Sequence, residues 1–362
     1  MNKTSARPLA LIYTGLIVYA SLYPFSDWRS QGIVPWTFLG SPLPKYWTGF
    51  DVLVNVCGYV PFGFLLVLSE LRMGRDRYAV LLGTLLAGLL SLAMESLQSY
   101  LPLRVPSTVD LGLNVLGAWF GALSAWLLER LGGIDRWSRF RERWFVADAR
   151  GGLVLLALWP VALLFPAAVP FGLGQVQERV ETALAEVLMD TPFLEWLPVR
   201  DIELQPLVPG AELLCVVMGL LIPCLLGYSI IQSVARRVLF LIMMFTLGIA
   251  ATALSAALSY GPEHAWAWLG LPVKAGTVIA LMLVVVLLWV PRRAAIALIL
   301  VALGLYLSLL NQAPASPYFA QTLLTWEQGR FIRFHGLAQW LGWLWPYMTL
   351  LYALTQMGGR ES

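Results

Sequence analysis

Long unbroken apolar runs constrain this chain more than any other feature. They fall near residues 9–24, 51–70, 78–97, 109–128, 151–169, 211–232, 238–259, 273–290, 294–310 and 337–356. A helix needs about 20 such residues to cross a bilayer. The runs are continuous rather than alternating, which predicts helices and excludes a β-barrel. Composition agrees, with 59% hydrophobic and 12% charged residues, where a soluble domain carries about 25% charged. The expected fold is an all-α polytopic membrane protein with about ten transmembrane helices. Pro160 and Pro166 in the fifth run, and Pro223 in the sixth, predict kinks. The first run follows a short basic leader without a small-residue cleavage site, so it reads as a retained span and not as a signal peptide.

Orientation follows from the basic residues. With the N-terminus cytoplasmic, the inner segments collect sixteen of the 24 Lys and Arg residues and seven of the 21 Asp and Glu residues. That leaves +9 inside and −6 outside, and it places both termini in the cytoplasm. The net charge of +3 is thus explained by topology and gives no reason to expect nucleic acid as a partner. Three segments emerge: a four-span part over 1–130, a basic cytoplasmic linker over 131–150, and a six-span part over 151–362 with an outer loop at 170–210. The Arg-rich linker suits anionic headgroups. In the outer loop, Val176, Val180, Leu184 and Val187 share one helical face, which fits a helix lying on the outer membrane surface or one capping the bundle. Cys57, Cys215 and Cys224 fall inside apolar runs without ligand spacing, and read as small buried hydrophobes.

One stretch breaks the apolar pattern. Glu95, Gln98, Arg104, Ser107, Asp110 and Asn114 sit between the third and fourth runs. A charge near the bilayer centre costs roughly 2.5–3.5 kcal/mol on insertion scales, so a chain that keeps several together has a use for them. Helical spacing joins them to the second run. Asp51, Asn55, Tyr59 and Gly63 step by four. Thr84, Gly88, Ser91, Glu95 and Gln98 step by 4, 3, 4, 3. Asp110, Asn114, Gly117 and Gly121 step by 4, 3, 4. Each stripe is polar at its outer end and small or polar deeper, which predicts a tight bundle with a polar pocket at the outer mouth. Arg104 is the expected counter-ion for Asp51, Glu95 and Asp110. Ser107 is the expected cap of the fourth helix, with Asp110 completing an approximate capping box.

These residues carry a resemblance. Asp51-Val-Leu-Val-Asn55-Val-Cys-Gly-Tyr-Val-Pro61-Phe62-Gly63 resembles the first signature of the VanZ-like family. Ser91-x-x-x-Glu95-x-x-Gln98, followed by Arg104, Ser107, Asp110, Asn114, Gly117-Ala118 and Gly121, resembles the second. Tyr19-Ala-Ser-Leu-Tyr-Pro24-Phe is similar to the usual end of the family's first span. The resemblance covers about residues 9–130. It implies a four-span bacterial membrane domain, a place in the cytoplasmic (inner) membrane facing outward, and a namesake linked to teicoplanin resistance. It carries over a setting and not a substrate.

Four uses of the cluster stay open. It can bind or move an amphiphile such as a lipid-linked glycan precursor, a polyprenyl phosphate or a lipoglycopeptide, with membrane lipid or lipid-linked glycan as partner. The ligand-binding set is then Asp51, Asn55, Glu95, Gln98, Arg104, Ser107, Asp110 and Asn114. It can belong to an envelope hydrolase or transferase, although residues 1–130 hold no histidine and no evident nucleophile. The chain can be an accessory subunit of an envelope machine, meeting a protein partner through loop 170–210 and the stretch from Trp326 to His335. The polar groups can also act only as hydrogen-bonding glue between helices. No cofactor or metal pattern is present.

Overall fold

The structure is a computed structural model that describes residues 6–23, 25, 27–41, 49–75, 77–102, 104–165, 167–193, 205–260, 262–313 and 332–358; the side chains of 50, 51, 134, 260 and 332–337 are not among those described. Among the described residues, regular structure is helical apart from one isolated bridge between Phe145 and Ile231. The chain divides into two compact units, Met1–Phe140 and Arg141–Ser362.

Unit one holds α1 (Ala6–Leu22), α2 (Gly49–Leu71), α3 (Ala79–Gln98) and α4 (Thr108–Arg130). The most extensive pairing is α2 on α4, and α3 packs against both. Small residues create it. A side chain on Gly117 would run into the Val56 carbonyl, one on Gly121 into Val60, and one on Gly63 into Ala118. The two backbones therefore touch directly. That is how membrane helices gain van der Waals contact where no hydrophobic drive exists between them. Tyr13 ties α1 to this pair by donating to the Gly58 carbonyl at 2.9 Å.

Helix α5 (Gly133–Trp144) crosses the boundary between the units and occupies the expected linker. Unit two continues with α6 (Arg150–Ala162), α7 (Gln177–Leu188), α8 (Pro209–Ile230), α9 (Val234–Tyr260), α10 (Leu271–Val286), α11 (Arg292–Leu310) and α12 (Ile332–Gly358). Helix α8 is apolar all round, and it is buried from Val216 to Ile230 save Met218, with α6, α9, α10 and α11 about it.

Among the described residues, seven helices are long and apolar enough to cross a membrane: Val52–Leu71, Ala79–Gln98, Thr108–Arg130, Pro209–Ile230, Val234–Ser259, Leu271–Trp289 and Arg292–Leu310. This fits a polytopic membrane protein. Ala6–Leu22 and Arg150–Ala162 are shorter apolar helices. The expected fifth span over 151–169 needs correction. Helix α6 has 13 residues, which at 1.5 Å each cover about 20 Å of a hydrocarbon core about 30 Å thick. Beyond Ala162 the chain is not helical, yet Val169 and Phe171–Gly174 are buried.

Buried irregular backbone is tolerated at membrane depth only where protein satisfies it. Here α11 and α12 do so. The Tyr306 hydroxyl donates to the Phe171 carbonyl at 2.7 Å and accepts from the Leu173 amide. Asn311 Oδ1 accepts from the amides of Val176 and Gln177 at 3.1 and 3.0 Å, and its Nδ2 donates to the Gly174 carbonyl at 3.2 Å. The Gly174 amide donates to Gly342 at 2.7 Å, and Gly174 takes a φ of 92°, where a side chain would be strained.

Two smaller expectations are also settled. Cys215 and Cys224 are buried, but Cys57 is exposed on the face of α2, so it does not pack as a buried hydrophobe. In the outer loop, a helix forms at Gln177–Leu188, and its apolar face is open, with Val180, Leu184 and Val187 all exposed. The stretch 314–331 and the His335 side chain, and with them the expected partner surface from Trp326 to His335, lie outside the described residues.

Candidate functional site

The N-terminal ends of α2 and α4 and the C-terminal end of α3 meet at one end of unit one. They bring the expected polar residues together there. Two hydrogen-bonded chains result. In the outer one, the Glu95 carboxylate accepts from the Ser107 amide at 2.8 Å. Ser107 Oγ in turn accepts from the amides of Val109 and Asp110 at 3.2 and 3.4 Å. Asn55 then donates to the Asp110 carboxylate at 2.8 Å. In the deeper one, Asn114 Nδ2 donates to Ser91 Oγ at 2.9 Å.

The outer chain changes the expected capping box. Ser107 caps α4 as its spacing predicts, but Glu95 from α3 receives the Ser107 amide, while Asp110 turns to Asn55. The consequence is electrostatic. The free amides of a helix start carry a partial positive charge, and Glu95, only 4% exposed, sits against them. That field stabilises an anion that would otherwise be costly to bury.

Gln98 and Arg104 face main chain. Gln98 donates to the Ser21 carbonyl at 3.0 Å, and Arg104 donates to the Tyr23 carbonyl at 2.8 Å. The segment after α1 then crosses the mouth. Arg29 donates its amide to Tyr100 O, the Gln31 side chain donates to Ser99 O, and Thr108 donates its hydroxyl to Phe38 O. Asp51 lies in the first turns of α2, and its side chain is outside the described residues.

One atom stands out. Asn114 is 6% exposed, and its carbonyl oxygen has no hydrogen-bond donor among the described residues. Thr84 Oγ1, further along the α3 stripe, is likewise buried without a partner. A buried acceptor left unmade costs about 1–3 kcal/mol, so the Asn114 carbonyl oxygen is an acceptor that the described residues leave unmatched. Among the described residues, no three His, Cys, Asp or Glu side chains gather as a metal site.

Residues 8–129 match the VanZ/LLP1 family model. The VanZ-like match spans α1 to α4 and includes every residue of the cluster. The C-terminal half has no such match. No curated protein and no solved structure matches the chain.

Sequence reasoning missed three residues of unit two that organise it. Tyr306 and Asn311 hold the segment after α6. Arg237 is 8% exposed and donates to four carbonyls: Tyr228 and Leu288 at 2.8 Å, Val290 at 2.8 Å and Ile231 at 3.3 Å. It caps the carbonyl ends of α8 and α10 against their negative poles. The sequence places Arg237 between the runs 211–232 and 238–259, beside Arg236, where it reads as an ordinary loop cation. A shallow recess between the segment after α6 and α12 is lined by Phe165, Leu173, Gln175, Glu178, Arg179 and Trp343. The Arg179 guanidinium there lies 4.7 Å above the Trp343 ring, and burial lowers its pKa against the opposing pull of Glu178.

Proposed function

We propose that the chain is a protein of a bacterial cytoplasmic membrane with about ten membrane segments, the fifth a short helix continued by irregular chain, and with both termini cytoplasmic. Its VanZ-like bundle holds the headgroup of an amphiphile at the outer end. The Asn114 carbonyl carries this reading, because an acceptor buried there asks for a donor. A sugar hydroxyl or a peptide N–H supplies one, whereas a bare phosphate does not. Among the candidate ligands this favours a lipid-linked glycan precursor or a lipoglycopeptide over a simple polyprenyl phosphate, and it supports the reading of a role like glycopeptide resistance. Asn114, Asn55 and Asp110 contact the headgroup. Glu95, Ser107, Gln98 and Arg104 position them, and Asp51 joins the rim.

Native mass spectrometry of the purified full-length protein tests this. The expected result is a retained lipid with a sugar or peptide headgroup that Asn114→Leu loses while remaining folded. A wild type without such a lipid, or a variant that keeps it equally, overturns the reading. A retained lipid that is cleaved on incubation would instead support an envelope hydrolase or transferase using Glu95 and Asp110 as acid and base.

A second reading has its own observation. Gln98 bonds the main-chain carbonyl of Ser21 at the end of α1, which supports a purely architectural use of that residue.

A further inference from the structure

Helix α5 carries a pattern that the polar cluster does not use. At about 100° per residue, Trp137, Phe140 and Trp144 fall on one face. Arg136 and Arg143 border that face on one side and Arg141 on the other, while Arg139, Asp135 and Glu142 lie further round toward the opposite side. Trp137 and Phe140 stack with ring centres 5.5 Å apart and are 57% and 38% exposed. The far end of the helix is anchored. The Arg236 guanidinium lies 5.5 Å over the Trp144 ring, and the Trp144 carbonyl accepts from the Gln232 amide. The exposed end begins just after α4, a candidate span, with Gly132 at a φ of 66° making the turn. This aromatic stripe therefore starts at the level where a membrane ends.

Each part of the pattern suits a membrane surface. Tryptophan and phenylalanine favour the interfacial layer. Flanking arginines meet headgroup phosphates with fork-shaped donors. The two acids face away, where a negative surface does not repel them. A neutral protein groove would accept the aromatic pair but give the arginines nothing to meet. We propose that α5 lies flat on the membrane and binds anionic phospholipid headgroups through Arg136, Arg141 and Arg143, with Trp137 and Phe140 inserted among the lipids.

Spin labelling of the full-length protein tests this, with the three native cysteines replaced by alanine and a nitroxide attached at Trp137→Cys or Glu142→Cys. The protein is reconstituted in phosphatidylcholine vesicles with or without phosphatidylglycerol. Accessibility to oxygen is compared with accessibility to a water-soluble nickel chelate. The expected result is a lipid-like label at 137 and an aqueous label at 142 when phosphatidylglycerol is present. R136Q, R141Q and R143Q together should return the label at 137 toward water, each weakening the attraction about fivefold. A label at 137 that stays in water, or is shielded from both reagents, assigns the stripe to a protein partner or a second copy and overturns the proposal. Insertion indifferent to phosphatidylglycerol overturns its anionic part. If the cysteine-free background fails to fold, quenching of wild type against W137F by brominated phosphatidylglycerol gives the same readout, and equal quenching of the two counts against insertion.

Discussion

The Ser107 amide donates to the buried Glu95 carboxylate at 2.8 Å, across twelve residues of sequence and from one helix to the next. This bond joins the end of α3 to the start of α4 and sets the spacing of the polar mouth. Glu95→Ala leaves the Ser107 amide unmatched and should lower stability by about 1–3 kcal/mol. Glu95→Gln keeps an acceptor but loses its charge against the helix start, at about 0.3–1 kcal/mol. Ser107→Ala should cost about 1 kcal/mol. Thermal unfolding of the purified variants in one detergent checks the order.

The contact of α2 with α4 predicts a sharper loss. Gly121→Val drives a side chain into the Val60 carbonyl and should cost about 3 kcal/mol or more, since neither backbone can yield alone. Gly112→Ala, on the same helix with open space around it, should be neutral or gain up to about 1 kcal/mol from helix propensity. Yield and unfolding midpoint separate the two.

Arg237 predicts that charge alone is insufficient. Arg237→Met strips four carbonyls of their donor and should cost about 3 kcal/mol or more. Arg237→Lys restores the charge but not the planar fork, so it should recover only part. Denaturant midpoints of the two variants test this, and equal stability of Arg237→Lys and wild type would refute it.

Much of unit one was legible in the sequence, because its rules are local. The stripes on α2, α3 and α4 repeat at helical period, the small residues lie on the same stripes, and Ser107 sits three residues before Asp110. The partner of the Ser107 amide was not legible. Asp110 is nearer along the chain, and only the packing of α3 on α4 brings Glu95 closer. The segment after α6 was misread for a related reason. Residues 151–169 are apolar enough to read as a span, although Pro166 and Pro170 are local signals that a helix cannot run on unbroken. What permits it to stop lies on Tyr306 and Asn311. Cys57 was placed wrongly because an apolar run does not reveal which of its faces meets protein.

Tyr306→Phe and Asn311→Leu test that dependence. Each removes hydrogen bonds from buried main chain and should loosen residues 169–177 by about 1–3 kcal/mol. Hydrogen exchange should speed up there and not in α2–α4. Uniform protection across 169–177 in both variants would count against the bonding described.

That segment also constrains the order in which the protein is made. Its main-chain groups are satisfied by residues 133 to 173 positions later in the chain. Until α11 and α12 have been made, those amides and carbonyls lack the partners they have in the finished protein. Helix α6 and the chain after it therefore reach their final hydrogen bonds only once α11 and α12 are present. The second unit closes late in synthesis, from its C-terminal end backward.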